Sequence, residues 1–229
     1  MDFDMLDAML REMIQDEDSP LKLNEGRIWE VTDREKNLQL LRERIFDRHL
    51  ELVKQISIDV LTETDPQFEL APAERWAAAL NGKKLRYSRN LREGLAESIT
   101  WLGINGDTLV NCSEKRRYIA LLITREILSN ANWQLWGSLN DLLPTLAEAA
   151  PGEFLSAVEH SLRQTPCPFD ELFAQEDTGI GGRNYMTGLL WALEGLAWSE
   201  ECLMRVCVVL AELASHDPGG NWLIDRPIR

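Results

Sequence analysis

The chain has 229 residues, with 38 Asp and Glu against 24 Lys and Arg and a formal charge of −14. Its 45 % apolar and 27 % charged residues are the composition of a folded domain able to bury a core, which excludes wholesale disorder. No run of about 18 apolar residues occurs, so no membrane-spanning helix is expected, and the acidic balance excludes a surface that is basic throughout.

Residues 1–31 read as an acidic amino-terminal helix and linker. The opening Met1-Asp2-Phe3-Asp4 has no basic n-region, so no secretory signal is expected and the natural location is the cytoplasm. Phe3, Leu6, Leu10, Met13 and Ile14 recur at helical spacing before a break at 16–20. From residue 32 to 229 a helical domain is expected. Thr32 with Glu35 three residues on reads as a capping box, opening one long helix over 33–63 with Leu38, Leu41, Ile45, Leu52 and Ile56 on its stripe. Asp65-Pro66 stops it.

Helical hairpins are expected over 72–215. Pro72 opens a short helix closed by Asn81-Gly82; Ser88 caps a helix carrying Leu91, Leu95, Ile99 and Leu102; Ser113 caps another running to Leu128. Two helices divided near Asn140 follow, then 152–163 and 169–174. Met186, Leu189, Leu190, Leu193, Leu196 and Ala197 keep helical period while Trp191 and Trp198 make that helix apolar nearly all round, which predicts burial on several sides. Ser199 caps the last helix. Asp107–Cys112 is the one strand-like stretch. Pairing these helices with starts near 72, 114, 152 and 185 predicts an all-α fold, an α-α superhelix of irregular HEAT- or TPR-like hairpin repeats, with a compact orthogonal bundle as the alternative.

Chemistry-bearing patterns are sparse. Cys112, Cys167, Cys202 and Cys207 form no C-x-x-C pair and read as reduced and buried, so neither a metal nor a cofactor is expected. His49 falls on an apolar stripe, and His160 and His216 stand near no nucleophile motif, so no catalytic residue is assigned and the chain reads as a non-enzyme. The glycine loop 178–183 lacks the preceding strand of a phosphate cradle and reads as a connector. Glu194, the one charge in its helix, is expected to be buried and paired with Arg163 or Arg205. Trp101, Trp191 and Trp198 read as packing residues, whereas Trp133 and Trp136 flank a helix start where a groove could form.

The sharpest electrostatic feature is a basic belt. Residues 83–126 carry nine bases against five acids inside an acidic chain. Lys83, Lys84, Arg86, Arg89, Arg92, Lys115, Arg116 and Arg117 are therefore the candidate partner-binding residues. The competing reading is a solvated face that pairs within the fold, for instance Arg89 with Glu93 one turn on.

Tyr185–Trp222, with LLWALEGLAW, the amphipathic helix after it and the DPGG turn followed by Arg226-Pro227, resembles helical-repeat regions of large bacterial multidomain proteins that accompany NTPase or sensor modules, defence-type ones included. The resemblance implies a cytoplasmic bacterial scaffold or regulatory region and transfers no catalytic residue. The function expected is a non-catalytic interaction region binding another protein or domain, an acidic one being the natural match for the belt. The alternative is a nucleic-acid-associated helical module using 83–125.

Overall fold

The structure, a computed structural model, describes residues 2–16, 19–24, 28–174 and 184–218. The glycine loop 178–183, the DPGG glycines, Trp222 and Arg226-Pro227 lie outside the described residues. The fold among the described residues is all-α apart from one small hairpin. Among the described residues no helix is long and apolar enough to cross a membrane.

Helix α1 (Phe3–Met13) keeps Met5, Met9 and Met13 on one exposed face. Strands β1 (Leu21–Asn24) and β2 (Ile28–Val31) then pair antiparallel, Leu21 opposite Val31 and Lys22 opposite Glu30 with an ion pair of 2.9 Å. This hairpin corrects the expected linker; with each strand only four residues long, the alternation of Leu21, Leu23, Trp29 and Val31 is too brief to give a strand signal. Asp107–Cys112 is no strand but a 3-10 turn (Gly106–Thr108) running into a bend.

The expected helix over 33–63 is two helices, α2 (Arg34–Leu41) and α3 (Asp47–Leu61). Asp33, not Thr32, caps α2 by accepting from the Lys36 amide. Periodicity runs across the break, but tertiary bonds fix the segment 42–46 and the start of α3. Asn111 Nδ2 donates to the Glu43 carbonyl, and the Asp47 carboxylate accepts from both the amide and the hydroxyl of Ser113 at 3.0 and 3.1 Å. His49 has a structural task, its Nδ1 accepting the Phe46 amide at the start of α3.

Next come 3-10 turns Pro66–Glu69 and Pro72–Ala77, and Gly82, at φ 72°, makes the left-handed turn after them. Helices α4 (Arg89–Asn105) and α5 (Ile119–Leu128) follow, then short α6 (Trp133–Ser138), α7 (Leu143–Ala149), α8 (Pro151–Leu162), short α9 (Pro168–Ala174), α10 (Thr187–Ala197) and α11 (Glu200–His216). Ser88 and Asn132 cap α4 and α6 through their side chains, as spacing predicts for Ser88.

The helices lie in rows. One row stacks α4, α7 and α10; a second stacks α3, α5, α8 and α11; α4 with α5, α7 with α8 and α10 with α11 are the hairpins joining them. Short α6 and α9 pack together as a third row. The hairpin partners thus differ from the expected pairing everywhere but at the last pair, because α6 and α9 are too short to be hairpin arms and sit beside the rows. Contacts along each row match this order. In the second row an ion-pair ladder climbs from helix to helix: Lys54 to Glu126 at 2.8 Å, Arg125 to both oxygens of Glu153 at 2.8 Å, Arg205 to Glu159 at 2.8 Å. In the first row backbones nearly touch. Thr100 Oγ1 donates to the Thr145 carbonyl, and a Cβ on Gly103 or Gly188 would overlap the carbonyl oxygens of Ala149 or Asn140. Among the described residues the buried core begins at Leu50 and draws none of its members from α1 or the β-hairpin.

Candidate functional site

The basic belt does not form one free surface. Arg92, in the first turn-and-a-half of α4, is 3 % exposed. It donates to the carbonyls of Val60 at 2.9 Å, Glu63 at 3.4 Å and Ser138 at 3.2 Å, with the Glu63 carboxylate 4.0 Å away. These carbonyls lie at the carboxyl ends of α3 and α6, where helix geometry leaves acceptors unpaired and the helix dipole favours a cation. Burial lowers the Arg92 pKa, the nearby Glu63 charge acting in the opposite direction. Arg92 is a clamp within the core and is removed from the candidate partner-binding set.

Five other members are also engaged. Lys83 pairs with Glu69, Lys115 with Glu51, and Arg89 with Glu93 at 2.6 Å, the pair that its spacing predicts. Arg86 stacks on Tyr87, 4.5 Å from the ring centre, and lies 3.8 Å from Asp59. Tyr87 in turn donates to Asp59, the hydrogen bond that raises the phenol's pKa. Arg116 turns inward to donate to the carbonyls of Cys112 and Ser113. Lys84 is exposed, and the side chain of Arg117 lies outside the described residues. The excess of positive charge in the sequence is thus matched by acids from 51–69 that only folding brings alongside.

A cleft of about 680 Å³ opens between the amino ends of α4, α7 and α10 and the carboxyl end of α6, with Arg89, Glu93, Asn140, Asp141, Tyr185 and Trp191 among its walls. Its charges are compensated, Arg89 lying between Glu93 and Asp141 at 2.6 and 3.9 Å. The hydroxyl of Ser138 is occupied, accepting the Asp65 amide and donating to the Gln134 carbonyl. No histidine or cysteine lines it among the described residues.

The last hairpin reverses the expectation placed on it. Trp198 is 87 % exposed, Met204 75 % and Trp191 60 %, with Val208 and Leu203 about half exposed. Helix α10 buries Leu189, Ala192, Leu193 and Leu196 on one side only, and Gly195 on its outer side faces open space. Trp191 lies opposite the buried side of α10, and Met204 and Val208 opposite that of α11, with Trp198 and Ser199 in the turn between them. Glu194, Glu200 and Glu201 are exposed on the same hairpin. Glu194 is therefore not a buried carboxylate, and Arg205 is taken by Glu159. Trp101 is buried as expected, and Trp136 is wholly buried, its indole donating to Ser161 at 3.2 Å. Trp133 packs on Phe68 with the Arg75 guanidinium over both rings.

All four cysteines are free, but only Cys112 and Cys167 are buried; Cys202 is half-buried and Cys207 exposed, against the expectation of four buried thiols. At the junction of α9 and α11, Cys167, Asp170 and His216 bring one ligand atom each to within 4.8 Å of one another. His216 Nδ1 and Asp170 Oδ1 are hydrogen-bonded at 2.7 Å. Burial raises the Cys167 pKa, with the amides of Phe169 and Asp170 pulling it back and the Asp170 charge adding to the rise. The Cys-x-x-Asp spacing was visible in the sequence, but His216 lies 46 residues from Asp170, a distance only the fold closes.

No protein-family model, curated protein or solved structure matches the chain.

Proposed function

We propose that this is a non-catalytic helical interaction module which receives a basic, amphipathic helical segment of a partner protein on the outer face of α10 and α11. The observation that carries the reading is the exposure of Trp191 on α10 and Trp198 just past its end, together with that of Met204 and Val208 on α11. Aromatic and Met side chains in contiguous exposed arrays are what interfaces bury, and aromatic anchors dominate their energetics. The surrounding Glu194, Glu200 and Glu201 select a partner of opposite charge. This replaces the expected acidic partner of the belt. The resemblance of 185–222 to scaffold regions of bacterial multidomain proteins agrees with such a role in a larger cytoplasmic assembly. The nucleic-acid reading rests on exposed Lys84 and Arg86 and is weakened by the carboxylates already paired with Lys83, Arg89 and Lys115.

The test is a titration of the chain against a labelled helical Leu/Lys peptide and its Leu/Glu counterpart, followed by anisotropy. Saturable binding of the Lys peptide alone is expected, weakened at least about tenfold, or about 1.4 kcal/mol, by Trp191→Ala with Trp198→Ala. Equal binding of both peptides, or undiminished binding by the double variant, refutes it. Salt-dependent retention of nucleic acid that disappears on Lys83→Glu, Lys84→Glu and Arg86→Glu transfers the function to the belt.

A further inference from the structure

We propose that Cys167, Asp170 and His216 form a site for one zinc-class divalent transition-metal ion, which fastens the end of α11 to the start of α9. Cys167 precedes Pro168 at the first position of α9, and Asp170 follows within the same first turn. His216 is the last residue of α11, and the packing of α11 on α9 delivers it to the same point.

Bonds of about 2.0–2.3 Å to a tetrahedral zinc ion place neighbouring ligand atoms roughly 3.3–3.8 Å apart. The three atoms already lie within 4.8 Å of one another. The adjustment that remains falls on side chains free to make it, since Asp170 and His216 are 51 % and 25 % exposed, while buried Cys167 is the fixed anchor. The donor set discriminates among metals. A thiolate and an imidazole favour zinc, cobalt or cadmium over magnesium and calcium, which take oxygen ligands. The charges also balance, because one thiolate and one carboxylate neutralise a divalent ion. On binding, the thiol proton leaves to solvent and the sulfur–metal bond forms in its place; no electron is transferred. The exposed side of the Asp170–His216 pair leaves a fourth position for water. This site is independent of the peptide-binding face, so either can fail without the other.

The experiment uses the full chain, stripped with chelator under reducing conditions, and Co²⁺ as the spectroscopic probe. One equivalent is expected to give a thiolate-to-cobalt charge-transfer band with four-coordinate visible bands, both removed by one equivalent of Zn²⁺. Cys167→Ser abolishes the charge-transfer band, Asp170→Asn and His216→Gln each weaken binding at least about tenfold, and Cys207→Ser changes nothing. Absence of the band in the unsubstituted chain overturns the proposal. So does a band that survives Cys167→Ser, that follows Cys207, or that ignores both Asp170→Asn and His216→Gln. The last two substitutions sit at accessible side chains, so the test stands even if Cys167→Ser fails to fold.

Discussion

The belt of 83–117 and the hairpin α10–α11 exchange roles between sequence and fold. The belt shows a surplus of positive charge along the chain, yet acids at 51, 59, 63, 69 and 93 come to meet it, and its most promising arginine ends inside the core. The hairpin shows apolar residues all round, yet two of its tryptophans stand in water. Local net charge is a sum over neighbours in sequence, whereas availability is set by neighbours in space. An all-round apolar helix implies several packed sides only where the stack continues on all of them, and α10 stands in an outermost hairpin with its outer side open.

The largest effects separate the two regions by burial. Trp136→Ala should cost about 3–5 kcal/mol in urea unfolding, whereas Trp198→Ala should stay within about 0.5 kcal/mol; similar losses would mean that the hairpin face is covered. Arg92→Met should cost about 3 kcal/mol or more by leaving the carbonyls of Val60, Glu63 and Ser138 without their donor. Arg89→Met, at an exposed pair of the same belt, should shift the urea midpoint far less. Equal shifts would restore the belt as one uniform surface. The smallest effect tests the ion-pair ladder. Arg125, by its hydrogen bonds, holds the Glu153 pKa below the ordinary carboxylate value. A depressed folded pKa stabilises above the unfolded pKa and is lost as the pH falls through the folded one. The gap in melting temperature between the chain and Glu153→Gln should therefore be present at neutral pH and close on acidification below the carboxylate range.

Fold class was legible because helix periodicity and caps are local. Ile99 and Leu102 mark the buried side of α4, although Leu91 of the same stripe is exposed, and Ser88 marks its start to the residue. The break between α2 and α3 was not legible, since it depends on Asn111 and Ser113 reaching back more than 60 residues. The β-hairpin was lost in an acidic stretch whose strands are too short for periodicity to register. Of the candidate site, the local Arg89–Glu93 pair could be read from spacing. The burial of Arg92 could not, because its acceptors are backbone carbonyls that carry no sequence signal. The Cys167, Asp170 and His216 cluster and the exposed hairpin face were hidden for the same reason, each being created by which helix lies beside which.

The glycines of the first row carry a mechanical consequence. Stacked helices usually yield by sliding past one another through small rotamer adjustments. Where α4 meets α7 at Gly103, and where α10 meets the Asn140 turn at Gly188, backbone carbonyl lies so close that a Cβ would overlap it. The Gly188 amide is moreover tied to the Asn140 side chain at 2.9 Å. This row therefore acts as a stiff spine. The second row is joined instead by solvent-accessible ion pairs, which can open and re-form, so it is expected to yield before the first.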